Sequence, residues 1–217
     1  MKGKRKIIIL CILCAMLITL GGVGFYYWYN NEHFVSTEDA KVDGDFISIA
    51  PQVSGKLLEF NAKEGETAVK NQIIGHIEVS GLKDENVESS LIRTPINGIV
   101  IKKEAEEGQY VSAGSTLAVM IDPEKLYITA NIEEIKVEKL HEGQSVDIKI
   151  DQFEGKVFQG KVEYIGNASN SAFSLLPSSS GGTFTKVVQK VPVKIELEEN
   201  HGNLLPGTNA DIKIHIK

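Results

Sequence analysis

Residues 55–78 align without a gap on residues 98–121, an offset of 43 positions. Gly55 falls on Gly98, Glu64-Gly65 on Glu107-Gly108, Leu57-Leu58 on Val100-Ile101, Ala62 on Ala105 and Ile74 on Leu117. Asn71 falls on Gly114, and these are the two residue types that most readily take a left-handed turn conformation. Two copies are too few for a solenoid, which needs about three stacked units to bury a continuous core. The repeat therefore predicts one small domain made of two similar β halves.

Around it the chain is unevenly charged. Formal charge is −6 over 217 residues, but Lys2, Lys4, Arg5 and Lys6 all precede the first acid, Glu32. Residues 30–217 hold 19 basic and 29 acidic side chains, a balance of −10. An acidic body excludes nucleic acid as a partner, because phosphates require clustered Lys and Arg. Residues 7–29 carry no charge and end in Phe25-Tyr26-Tyr27-Trp28-Tyr29. As a helix they are long enough for a hydrocarbon core of about 30 Å. The basic residues 1–6 are expected to stay cytoplasmic, with the aromatic group at the outer interface and the C-terminal body outside the cell membrane. A cleaved signal peptide is the alternative, but no A-x-A-like site follows the apolar run, and an uncleaved anchor is the reading taken. Cys11 and Cys14, the two cysteines, fall inside this segment and read as bilayer-embedded small hydrophobes.

After a polar juxtamembrane stretch, Asn30–His33, β signals dominate: short runs rich in Val, Ile, Tyr and Phe, bounded by Gly, Asn and Asp. Strands are predicted over 46–51, 55–62, 73–79, 98–103 and 117–121. Glu64-Gly65 and Glu107-Gly108 read as tight turns with positive φ. The connection 80–91 is polar and lacks an a/d pattern, so it accommodates one or two helical turns at most. Past Asp122-Pro123, strands are predicted over 126–132, 145–150, 156–165, 187–197 and 210–216, with a short helix over 133–142 stopped by Gly143. These runs imply a small barrel or sandwich. Residues 166–186 form a long Ser/Gly-rich loop, the kind that is either functional or mobile.

No catalytic constellation emerges. His33, His76, His141, His201 and His215 match no zinc spacing, and no P-loop, G-x-S-x-G or G-x-G-x-x-G is present. Serines 178–180 have no base beside them. We therefore expect no catalytic residue, no cofactor and no metal ligand. Lys83, on the connection between the repeat halves, occupies the place of a carrier domain's modified lysine. Its Leu82-Lys83-Asp84 setting lacks the Asp-Lys-Ala or Met-Lys-Met surroundings of lipoyl and biotinyl carriers, and it reads as an exposed lysine.

The basic N-terminus, the span, Ser36-Thr37-Glu38-Asp39-Ala40-Lys41-Val42-Asp43-Gly44 and Ile49-Ala50-Pro51-Gln52-Val53-Ser54-Gly55 resemble the entry of the HlyD/EmrA-type membrane fusion proteins. Thr94–Val100 followed by Glu107–Val111 resembles their second lipoyl half-motif. Phe173–Pro177 with Phe184–Val193 resembles a stretch of the EmrA-like branch, and Leu204-Leu205-Pro206-Gly207-Thr208 their C-terminal barrel turn. The resemblance implies a mainly β protein: a cytoplasmic tail (1–6), an anchor (7–29), a linker and first barrel-associated strand (30–46), a lipoyl-like sandwich (47–121) and a β-barrel domain (122–217). It further implies a non-enzymatic, homo-oligomeric adaptor for efflux or secretion. Its partner would be a polytopic transporter of the major-facilitator or ABC type. Where the family carries a long α-hairpin, this chain has only 80–91. An outer-membrane channel is then not expected, and a short adaptor suits a cell with one membrane. The rivals are an anchored binding module unrelated to transport and a carrier modified at Lys83.

Overall fold

The computed structural model describes residues 2–78, 87–173, 188–198 and 204–216. In chain order its elements are α1 (Lys2–His33), β1 (Phe34–Asp43), β2 (Ile47–Ile49), β3 (Gly55–Phe60), β4 (Thr67–Ala68), β5 (Ile73–Glu78) and α2 (Val87–Ser90). Then come β6 (Leu91–Arg93), β7 (Gly98–Lys103), β8 (Tyr110–Val111), β9 (Ala118–Ile121), β10 (Tyr127–Glu133) and α3 (Glu134–Val137). The chain closes with β11 (Ser145–Ile150), β12 (Phe158–Ile165), β13 (Lys190–Leu197) and β14 (Asn209–His215). Two compact units result: one of Met1–Ala40, Thr129–Glu198 and Asn209–Lys217, the other of Lys41–Ile128 and Glu199–Thr208.

The second unit contains two four-stranded sheets, β2-β9-β7-β4 and β6-β5-β3-β8. Shifting each strand of one sheet by 43 residues, forward or back, gives its counterpart in the other, so every sheet mixes strands from both halves. The hydrogen bonds repeat with the same offset. The Gly65 amide donates to Val100 O at 2.8 Å, and the Gly108 amide to Leu57 O at 2.7 Å. The Lys103 amide donates to Glu64 Oε1 at 2.9 Å, and the Phe60 amide to Glu107 Oε1 at 3.1 Å. Gly65, Gly108, Asn71 and Gly114 all have positive φ, as the alignment predicts. The buried cluster pairs likewise: Ile49 with Ile92, Leu57 with Val100, Ala62 with Ala105, Ala68 with Val111, Ile74 with Leu117 and Ile77 with Met120. Neither half can close its own sheet, so folding requires the two together. Each crossed carboxylate satisfies an amide on the opposite half, and Glu64→Ala or Glu107→Ala is expected to cost about 1 kcal/mol. Urea unfolding of the two single variants checks this; near-equal losses are expected from the shared geometry.

The first unit holds a closed barrel, β1-β10-β13-β12-β11-β14. β-branched side chains alternate inward along its staves: Val146, Ile148 and Ile150 on β11, Val191, Val193 and Ile195 on β13, Ile212 and Ile214 on β14. This period-two burial is what a half-solvated antiparallel strand dictates. β1 therefore serves the barrel although it precedes the sandwich in sequence.

Several expectations need adjusting. The polar stretch Asn30–His33 is helical, and α1 passes directly into β1; His33 stacks on Tyr29 at 4.1 Å between ring centroids, one helical turn away. The helix expected over 133–142 is the single turn α3, which starts without a side-chain cap and contains β-branched Ile135 and Val137. Three further strands, β4, β6 and β8, are two or three residues long, too short to carry an alternating pattern in the sequence. Residues 79–86 and 174–187, including Lys83 and most of the expected 166–186 loop, lie outside the described residues, as does His201.

Candidate functional site

β1 breaks its alternation once: Val35 and Ala40 are both buried although five positions apart, and the residues between them face outward or stay half-exposed. Within that break the Asp39 amide donates to Thr37 Oγ1 at 3.1 Å, and the Thr37 hydroxyl donates to Asn131 O at 3.2 Å. This turns the Asp39 carboxylate toward β10 and β13. Asn131 Nδ2 donates to Asp39 Oδ1 at 3.0 Å and Lys190 Nζ to Asp39 Oδ2 at 2.6 Å. Asn131 Oδ1 in turn accepts from Asn170 Nδ2 at 2.8 Å. Asn170 opens the 3-10 turn Asn170–Phe173, and Lys190 opens β13, so one polar knot grips the chain on both sides of residues 174–187. The Gly166 amide adds a bond to Pro192 O at 2.8 Å. The Lys190 hydrogen bond, then that of Asn131, hold the Asp39 carboxyl below its ordinary value despite an opposing contribution from partial burial.

Beside the knot an open groove of about 730 Å³ crosses the outer face of β1, β14 and β11. Its charges alternate across the register: Asp147 stands opposite Lys213, and Lys149 opposite Asp211. Asp147 also contacts His215 Nε2 at 2.9 Å and accepts from Gln159 Nε2 at 3.0 Å. Burial pulls the Asp147 carboxyl up, but the bonds from His215 and Gln159 and the charges of His215 and Lys213 outweigh it, and the net shift is downward. The lining holds five carboxylates and three lysines, and every lysine faces a carboxylate: Lys190 with Asp39, Lys213 opposite Asp147 and Lys149 opposite Asp211. The groove reads as a reinforced barrel wall.

The remaining singled-out residues do not converge. His33 ends α1, His76 is half-buried on β5, His141 follows α3, and His215 pairs with Asp147. Among the described residues no three His, Cys, Asp or Glu side chains come together as a metal site. Cys14 is exposed on α1, as are its apolar neighbours Leu13, Met16 and Leu17. Within Ile12–His33 this helix holds an 18-residue stretch of mean hydropathy 1.5 and is long and apolar enough to cross a membrane. The Asp39 knot escapes sequence reading, since its members lie on β1, β10, the 3-10 turn and β13. The odd interval between Val35 and Ala40 is the one local sign of it.

Known proteins share this architecture. Residues 45–122 match the model described as YhbJ, barrel-sandwich hybrid domain, and residues 126–214 match the YknX-like beta-barrel domain. YhbJ of Bacillus subtilis (strain 168), which bears the name of a candidate efflux-system component, is 38% identical over 220 residues, covering 98% of this chain and 96% of YhbJ. The colistin resistance protein EmrA of Acinetobacter baumannii is 32% identical over 67% of this chain, but the match covers only 43% of that longer protein. The multidrug export protein EmrA of Haemophilus influenzae is 35% identical over 60% of this chain and 35% of its own length. Among solved structures, the periplasmic adaptor protein EmrA superposes with a TM-score of 0.57 at 12% identity, covering 84% of this chain and 98% of that one. The membrane fusion protein Spr0693 from Streptococcus pneumoniae R6 gives 0.62 at 12% identity, over 85% and 99%. These two share the fold. With a barrel, a sandwich of crossed halves and one apolar N-terminal helix, matched along nearly all of its length, the chain belongs to the HlyD/EmrA-type membrane fusion proteins, non-enzymatic adaptors of efflux systems, in a short form without the long α-hairpin.

Proposed function

We propose that this chain is the membrane-anchored adaptor of a multidrug or small-molecule export system and assembles, as a homo-oligomer, with a polytopic transporter of the major-facilitator or ABC type. In this reading residues 1–6 are cytoplasmic, 7–29 span the cell membrane, 30–46 lead into the barrel, and the lipoyl-like domain (47–121) and barrel domain (122–217) stand outside. The observation that carries it is the end-to-end match to YhbJ, 98% of this chain against 96% of that one. The anchor confines the body to the pump's surroundings and raises its effective concentration there.

Only twelve residues separate Glu78 from Leu91. Even wholly helical they span about 18 Å, and folded back as a hairpin about half that. Such a connection has no reach for a second membrane, so the adaptor works without an outer-membrane channel. We assign the transporter contact to residues 166–186, with the Asp39 knot holding Asn170 and Lys190 on either side of 174–187. Affinity purification from native membranes, followed by mass spectrometry, is expected to recover one polytopic transporter in excess over other membrane proteins. Recovery of none in any mild detergent would falsify the adaptor reading and favour an anchored binding module. Deleting residues 174–186 is expected to abolish that recovery while leaving the barrel folded by circular dichroism. Intact mass is expected to equal the sequence mass; a lipoyl or biotinyl increment would revive the carrier reading at Lys83.

A further inference from the structure

Strand directions identify the end of the barrel that α1 enters. β14 runs toward it, since the Ile216 amide donates to His33 O at 3.0 Å. β10 also runs toward it: Asn131 lies beside Thr37 and Asp39, whereas Lys139 reaches Asn31 O with its Nζ at 3.5 Å. β13 begins there, because the Glu134 amide donates to Gln189 O at 2.9 Å. β12 begins at the opposite end, being antiparallel to β11, which is itself antiparallel to β14. Two large apolar side chains stand open at the α1 end, on either side of the Glu134–Gln189 bond: Ile135 at 75% exposure and Val188 at 55%.

No residue separates α1 from β1, and Tyr29, the last of the aromatic run, lies four residues before His33. That distance is about 6 Å along the helix. The polar interfacial layer on each side of a bilayer is about 5–7 Å deep, and Trp and Tyr mark its level. A barrel end tied to His33 and Asn31 therefore lies within that layer, where an exposed Ile or Val gains by leaving water.

We propose that Ile135 and Val188 enter the interface of the outer leaflet, giving the barrel a second membrane contact beside α1. This rests on the anchored reading above. The contact is apolar and not electrostatic, because Glu133, Glu134, Glu138 and Glu142 outnumber Lys136 and Lys139 along the same stretch. It restricts the tilt of the barrel on the membrane and so presents the Asp39 knot at a fixed height.

Trp28 is the one tryptophan of the chain, which makes the test direct. The full chain is reconstituted, without any transporter, in phosphatidylcholine vesicles brominated near the headgroup end of the acyl chains. Ile135→Trp, Val188→Trp and Val157→Trp are each made in a Trp28→Phe background; Val157 is 51% exposed and immediately precedes β12, at the far end. Trp28 itself and the tryptophans of the first two variants are expected to lose comparable fractions of their emission. The Val157→Trp variant is expected to lose none, and phosphatidylglycerol is expected to leave the pattern unchanged. A quenched Trp28 with unquenched Ile135→Trp and Val188→Trp overturns the proposal and leaves the anchor intact. An unquenched Trp28 removes the anchor and the proposal together. Shielding that develops at either site only after transporter is added assigns the patch to protein contact and also overturns the proposal, as does quenching of Val157→Trp.

Discussion

Replacing Gly98 by alanine is expected to destabilise the split sandwich by about 3 kcal/mol, a large share of an ordinary domain's margin. A Cβ at this position stands 2.2 Å from Ile121 O and 3.0 Å from Ile121 C, backbone atoms of the adjacent strand that cannot rotate away. The repeat makes the prediction double. Gly55, 43 residues earlier, meets Glu78 O at 2.3 Å and Ile77 Cγ2 at 2.5 Å, and Glu78 is the repeat counterpart of Ile121. Gly55→Ala is therefore expected to cost a similar amount. Gly65→Ala serves as the contrast: its φ is +80°, but nothing lies within 4 Å of the added carbon. Its cost is the left-handed backbone alone, about 1 kcal/mol. Hydrogen exchange resolved by strand is the suitable measurement, because two units need not unfold as one. Accelerated exchange is expected in β3, β5, β7 and β9 with the barrel amides unchanged; equal behaviour of Gly65→Ala and Gly98→Ala would refute the close-approach argument.

The repeat was readable because backbone demands recur with it. A left-handed turn at 65, 71, 108 and 114 accepts few residue types, so Gly and Asn stand there in both halves. What the alignment could not reveal is the exchange of strands between sheets. An identical residue pattern serves a half that folds on itself and one that folds across, and only the crossed bonds Gly65–Val100 and Gly108–Leu57 distinguish them. The barrel staves were legible by their alternating Val and Ile, whereas β4 and β8, at two residues each, are too short to show a period. The apolar helix was legible from its charge-free length, though its continuation through Asn30–His33 was not, since His33 is held there by its stack on Tyr29, its ring nitrogen at Tyr29 O and the Ile216 amide. The Asp39 knot is held by side chains up to 151 residues apart, and no local pattern encodes such a meeting.

That knot carries the largest expected effect on function. Asp39→Ala removes the acceptor shared by Lys190 and Asn131, and so loosens the grip on both sides of residues 174–187. Global stability should fall little, because the Lys190 ion pair is half-exposed and such pairs contribute about 0–1 kcal/mol. Transporter binding should fall more. In the contact proposed above, the knot fixes the residues that flank 174–187, and about 1.4 kcal/mol of lost preorganisation corresponds to a tenfold weaker complex. Titration of purified transporter with the variant measures it, beside the melting temperature. The acid dependence supplies an independent check. The Asp39 carboxyl sits below its unfolded value, so the folded chain binds fewer protons than the unfolded one between the two values. Its contribution is thus present above the unfolded pKa, about 4, and is lost as pH falls through the lower folded value. Asp147 acts in the same direction on the barrel wall. The protection factor of the Ala172 amide, which donates to Ser169 O, is expected to fall in acid in the native chain once the intrinsic slowing of amide exchange at low pH is divided out. In Asp39→Asn that protection is expected to be lower already at neutral pH and to fall less on acidification. An acid response unchanged by Asp39→Asn would show that the knot does not hold the feet of the loop, and the transporter contact would have to be sought elsewhere on the barrel.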